Sequence, residues 1–139
     1  AILSDDSELW LDGGHNPAAG AMLADHARAN WTDRPLHLIG GMMNSKDTLD
    51  FLRPLVAVAA SFQAVVIPGE ENSLSATNLA DAAMRAGLHA RTAANVSVAL
   101  AQIRALGQEP VRILICGSLY LAGTVLTSNV ESAGSLETL

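Results

Sequence analysis

Short apolar runs alternate with amphipathic stretches along most of the chain. Residues 8–11, 36–40, 64–67 and 112–116 read as core strands, and 89–92 as a shorter one. From Pro17, the positions Ala19, Met22, Leu23 and His26 recur at helical spacing and predict a helix that fades before Asn30. Leu49, Leu52 and Val56 mark a second helix, which Pro54 kinks or divides because it lacks a backbone N–H. Leu79, Ala82, Ala83 and Ala86 share one face of a third, starting at Ser75 and stopped by Gly87. Val96, Leu100 and Ile103 place a fourth that ends at Gly107, and a last helix runs over about 119–126. Residues 1–6 read as an incoming linker or edge strand. Beyond Ser128 the periodicity stops, so the division expected is a domain over 1–127 and a mobile tail over 128–139.

Strands alternating with helices predict an α/β domain: a mostly parallel sheet, covered on both faces and joined by right-handed crossovers. In such sheets ligands collect outside the carboxyl ends of the strands. Three of those ends carry polar or glycine-rich loops, at 12–16, 40–47 and 116–120, and the pattern puts all three on one rim.

Composition narrows the function. With 139 residues, half of them apolar, the chain can bury about two thirds of its unfolded surface as one domain. Its net charge of −6 argues against a nucleic-acid backbone as partner, which needs a basic face. The most apolar window, 111–126, is broken by Arg112, Gly117 and Ser118 and is shorter than the roughly 20 residues of a membrane span. The single cysteine, Cys116, cannot form an internal disulfide; a buried thiol in the cytoplasm is expected. No basic and apolar leader opens the chain, so no signal peptide is expected.

The loop Asp12-Gly13-Gly14-His15-Asn16-Pro17 joins a strand to a helix start. Asn16 can cap the helix, and Pro17 suits the first helical position, whose N–H has no intrahelical partner. The free amides then face what Asp12 and His15 face, an anion site by geometry. Neither a dinucleotide fingerprint nor a phosphate loop is present, so the chain alone is not expected to hydrolyse ATP. Lys46, the only lysine, can be a solvated surface group, but it stands in a glycine-bounded loop after a strand, where a point charge serves bound phosphates or carboxylates. No His/Cys spacing suggests zinc, and Ser118 with His15 and Asp12 lacks the strand-turn-helix serine motif of a hydrolase. Local roles stay open: Asp12 can serve loop amides, His15 can be a structural donor, and Ser118 can cap the last helix. His26 and His37 read as packing residues.

At these residues the chain resembles the C-terminal domain of the Mur ligase superfamily, and within it the folylpolyglutamate synthase and dihydrofolate synthase branch. The likeness rests on Leu11-Asp12-Gly13-Gly14-His15-Asn16-Pro17, on the glycine and Lys46-Asp47 pair within 40–47, and on Ile115-Cys116-Gly117-Ser118-Leu119-Tyr120-Leu121-Ala122-Gly123. Gly14 stands where the family usually has alanine, and Asn44-Ser45 where an acidic residue often precedes the lysine. The resemblance implies a Rossmann-like three-layer fold and a monomeric, cytoplasmic, ATP-dependent ligase of folate metabolism. It further implies that a carboxylate of dihydropteroate or of a folate's terminal glutamate is activated as an acyl phosphate, which the amine of L-glutamate attacks. The phosphate loop, the pterin site and most ligands of Mg2+ are implied to lie in an N-terminal ATPase domain that partners this one. By the same resemblance Asp12 binds the ribose hydroxyls, and His15 approaches the nucleotide phosphates or the reacting carboxyl. Asn16 orders the nucleotide loop, Lys46 faces the acyl phosphate or the amino acid carboxylate, and Ser118 lies near that carboxylate. Two other readings are another Mur-type amino acid ligase and a non-catalytic nucleotide-binding or interaction module.

Overall fold

A computed structural model gives the structure, which describes residues 6–107, 109–127 and 137–138. Its strands are β1 (Glu8–Leu11), β2 (Leu36–Gly40), β3 (Ser61–Ala64), β4 (Ala90–Thr92), β5 (Arg112–Cys116) and β6 (Glu137–Thr138). They pair in parallel in the order β4-β3-β2-β5-β1-β6. Helices α1 (Pro17–Asn30), α2 (Thr48–Leu52), α3 (Ala76–Ala86), α4 (Val96–Arg104) and α5 (Leu119–Thr127) occupy the connections. On one face Leu23, Phe51 and Leu79 of α1, α2 and α3 share a core with Leu38, Phe62 and Leu114. On the other, Ala99 and Ile103 of α4 and Leu121 of α5 share one with Leu11, Ile39 and Ile113. This is the three-layer α/β fold expected. It explains why β2 and β5 are buried at every position: a parallel strand with helices over both faces has no solvent side.

The local signals act where they stand. Asn16 Oδ1 accepts from the Ala19 amide at 2.8 Å, and Pro17 opens α1. Pro54 ends α2 and starts the 3-10 turn Arg53–Ala57. Ser75 Oγ and Asn95 Oδ1 cap α3 and α4, and Gly87, at φ 113°, closes α3 in the left-handed region.

Three expectations shift. β3 is Ser61–Ala64 rather than 64–67, because pairing with His37–Gly40 of β2 begins at the polar Ser61. Val65 and Ile67 keep their burial beyond the end of the strand. On α1 the inward stripe is Gly20, Leu23, Ala24 and Ala27, and Met22 points out at 61% exposure. Small residues let α1 lie close on α2, which selects that stripe over one containing Met22. α4 stops at Arg104, short of Gly107. Glu137–Thr138 pair with the outer edge of β1; residues 128–136 and 139 of the expected tail, and 1–5 of the expected linker, lie outside the described residues. No described helix is long and apolar enough to cross a membrane.

Candidate functional site

β5 lies between β1 and β2, and its following helix covers the opposite face from theirs. The connections therefore diverge on both sides of β5, and a crevice opens outside its carboxyl end. A cleft of about 470 Å³ occupies this place. His15 reaches it from the β1 loop, Met42, Met43, Ser45 and Asp47 from the β2 loop, and Ser118 and Tyr120 from the β5 loop. The three loops singled out in the sequence thus meet on one rim.

Gly117 makes that meeting possible. Its φ of 99° is a conformation that side chains rarely adopt, and a Cβ there would lie 2.9 Å from Gly41 O and 2.8 Å from Met42 Cγ. Next to it Ser118, 2% exposed, accepts on Oγ from the amides of Tyr120 at 3.0 Å and Leu121 at 3.3 Å. The hydroxyl is the N-terminal cap of α5, and its own hydrogen donates to nothing among the described residues.

Asp12 continues the β1–β5 ladder, its amide donating to Ile115 O at 2.9 Å. Its Oδ2 accepts from the Gly14 amide at 3.0 Å, which closes the loop on itself, while Oδ1 accepts nothing among the described residues. A Cβ on Gly14 would stand 2.7 Å from Ala19 Cβ and 2.9 Å from Asp12 Oδ2, so in this loop an alanine there would have to displace α1 or the carboxylate. His15 and Asn16 are exposed beyond the turn. Cys116 is buried one residue inside the rim, and burial, with the Asp12 charge, pushes its thiol up to about 12.

Lys46 is placed apart from the other candidates. It is exposed and lines a neighbouring groove of about 350 Å³ with Asn78, Asp81 and Arg85 of α3. His15 and Ser118 line the main cleft together, Asp12 sits at the strand end beneath the same loop, and Lys46 stands on the outer side of the β2 loop. Among the described residues no cluster of three or more His, Cys, Asp or Glu could hold a metal ion.

Sequence reasoning missed the apolar side of the cleft. Leu119 and Tyr120, 71% and 57% exposed, begin α5 with their side chains outward. A signal was available: once Leu121, Ala122 and Val125 form the inward stripe, the two residues just after the cap must project over the rim.

Comparison with known proteins gives one family and a consistent set of solved structures. The family described as "Mur ligase, glutamate ligase domain" matches residues 2–119. Folylpolyglutamate synthase of Mycobacterium tuberculosis, solved in complex with ADP, is 28% identical over 86% of this chain and 29% of its own, with a TM-score of 0.77. E. coli FolC, in complex with DHPP and ADP, superposes with a TM-score of 0.76 at 21% identity, over 91% of this chain and 29% of its own. Folylpolyglutamate synthase of Thermotoga maritima gives 0.71 at 21% identity, over 95% and 31%. The chain therefore spans about 30% of the length of the structures it matches. No curated protein matches significantly.

Proposed function

We propose, because the chain belongs to the Mur ligase family as a glutamate ligase domain, that it is the closing half of an ATP-dependent ligase adding L-glutamate to dihydropteroate, to folylpolyglutamate or to both. One observation carries this reading: the three loops that resemble the folate branch converge on one cleft at the carboxyl ends of β1, β2 and β5. In the reaction the terminal phosphoryl group of ATP passes to a substrate carboxylate. The free amine of glutamate then attacks the acyl carbon, phosphate leaves, and the amine's proton is lost to solvent or a nearby base.

The residues of this chain bind and orient. Asp12 Oδ1, open while Oδ2 holds the loop, accepts from the ribose hydroxyls. His15, exposed at the cleft edge, donates to the phosphates or to the reacting carboxyl. Asn16 fixes the loop by capping α1. Ser118 turns its free O–H hydrogen to the glutamate carboxylate. Lys46, from the outer side of the β2 loop, supplies positive charge for the acyl phosphate or that carboxylate when the partner domain closes. Magnesium is held mainly by the remainder of the ligase, as the resemblance implies. Positioning of this kind supplies much of a rate enhancement without any covalent step on the protein.

The test is phosphate release in a full-length ligase carrying this chain, with ATP and dihydropteroate or a folate, in the presence and absence of L-glutamate. Glutamate-dependent release that falls on Asp12→Ala supports the reading. Release that depends on another amino acid and ignores folates moves the chain to a different Mur branch.

A further inference from the structure

The loop after β2 divides its two charges between two cavities. Lys46 lines the outer groove, Asp47 lines the main cleft, and Ser45, just before them, borders both. The loop from which the sequence promises a cation therefore turns a carboxylate towards the cleft that His15 and Ser118 share. Asp47 is the only carboxylate among the residues that line it.

The backbone of Asp47 is fixed, and its side chain is not spent on fixing it. Its amide donates to Ser45 Oγ at 3.1 Å, its carbonyl accepts from the Phe51 amide at 2.9 Å, and Thr48 Oγ1 donates to Ser45 O at 3.0 Å. Phe51 and Leu52, fully buried, anchor the turn that follows. Aspartate just before a helix commonly caps it, yet the Asp47 carboxylate makes no capping bond and accepts no hydrogen bond or ion pair among the described residues. It is partly buried, in a cleft whose other walls supply the hydrogen-bond donors His15 and Ser118 and the apolar surface of Met42, Leu119 and Tyr120. A carboxylate there repels the phosphates and carboxylates that the ligase reading brings to this rim, and it attracts a cation.

We propose that Asp47 binds the α-ammonium of the incoming L-glutamate, accepting its N–H hydrogens while Ser118 donates to the α-carboxylate. The inference rests on the ligase reading above. An α-amino acid carries a cation and an anion on one carbon, and the cleft offers an acceptor carboxylate and a donor hydroxyl from the loops after the paired strands β2 and β5. The contact selects a substrate that bears an amine over a dicarboxylate of the same length. It also holds the nitrogen to one side of the cleft, and attack on an acyl carbon requires such a fixed approach.

The experiment measures glutamate-dependent phosphate release by the full-length ligase carrying this chain, with glutarate as a competing ligand; glutarate has both carboxylates of glutamate and no amine. Asp47→Asn is expected to raise KM for L-glutamate about tenfold, the loss of charge from one hydrogen bond, and to leave KM for ATP unchanged. Glutarate is expected to inhibit this variant at least as well as wild type, because the charge that repels it is gone. Asp47→Glu, which keeps the charge, is expected to recover part of the glutamate affinity. The proposal is overturned by an unchanged KM for glutamate in Asp47→Asn, whether kcat falls or the Mg2+ requirement rises instead, and by glutarate weakening as much as glutamate. A wild-type ligase without glutamate-dependent release overturns the ligase reading and this proposal together, whereas a glutamate-dependent wild type with an indifferent Asp47→Asn overturns this proposal alone.

Discussion

Asp12 holds its loop through one carboxylate oxygen and leaves the other open, so two substitutions separate its tasks. Asp12→Asn keeps an oxygen for the Gly14 amide and loses the charge, whereas Asp12→Ala loses both. A charge-assisted hydrogen bond contributes about 1.5–3 kcal/mol, so both variants of the full-length ligase are expected to lose about 10–100-fold in kcat/KM for ATP. Only the alanine variant should melt earlier; an unchanged kcat/KM in both would remove Asp12 from nucleotide binding. Cys116 gives a second prediction. Its thiol, pushed up to about 12 by burial and the Asp12 charge, holds almost no thiolate at pH 8, and its surroundings exclude reagents. Reaction with a colorimetric disulfide reagent should therefore follow unfolding, with a rate that rises with urea; prompt stoichiometric labelling of the folded chain would contradict the packing. At this scale the sequence reading reached far for Asn16 and Cys116, whose roles follow from immediate neighbours. It could not separate cap from ligand at Ser118. The structure shows the cap, and the free hydroxyl hydrogen leaves the ligand role to the turnover assay.

The strands owe part of their stability to a junction that no local pattern discloses. At the amino ends of β1 and β5, Arg112 donates from Nε to Glu8 Oε1 at 2.8 Å and from Nη2 to Glu8 Oε2 at 3.1 Å, and from Nη1 to Asp33 at 2.9 Å. Its guanidinium lies 5.4 Å from the Trp31 ring centroid, and Trp31 also meets Trp10 and His26. Glu8 and Arg112 are 104 residues apart, and only the strand order puts β1 beside β5. Periodicity yields the strands but not their order, which is why Arg112 reads in the sequence as a mere strand residue. The same blindness displaced β3: hydrophobicity marks burial, whereas the strand begins where backbone partners begin. Arg112 has 6% of its side chain exposed; its replacement by methionine leaves the partly buried Glu8 with only the Trp10 indole N–H at 2.9 Å and Arg34 at 3.7 Å, at a cost of about 2 kcal/mol measurable by urea denaturation. The Arg112 hydrogen bond holds Glu8 below its ordinary 4.5. The unfolded chain therefore binds the Glu8 proton first as pH falls, and this stabilisation, complete above 4.5, is lost as pH drops through the lower folded value. Glu8→Gln should flatten stability against pH in that acid range; an acid limb identical to wild type would show that the pair contributes nothing there.

Taken whole, the molecule offers a rim without an engine. The alternation of strands and helices made the three-layer fold and the common rim of the loops legible, because a covered parallel sheet allows few other arrangements. The outward Leu119 and Tyr120 and the separation of Lys46 from the cleft were not legible, since they depend on how the loops cross in space. What the rim can hold by itself is limited. Asp12 and His15 supply one or two charge-assisted hydrogen bonds of about 1.5–3 kcal/mol each, and the start of α1 adds about 0.3–1 kcal/mol. A millimolar complex already requires about 4 kcal/mol, and part of the gross interaction is spent on immobilising the nucleotide. The chain alone is therefore expected to bind ATP at millimolar concentration or more weakly and to release no phosphate from it. Isothermal titration and a phosphate assay check both halves. Adding the remainder of a folate-branch ligase should restore glutamate-dependent turnover, because its phosphate loop and metal would fix the nucleotide before this rim closes on the ribose. Submicromolar ATP binding by the isolated chain would mean that the rim is a complete nucleotide site, and would favour a sensing module over half of a ligase.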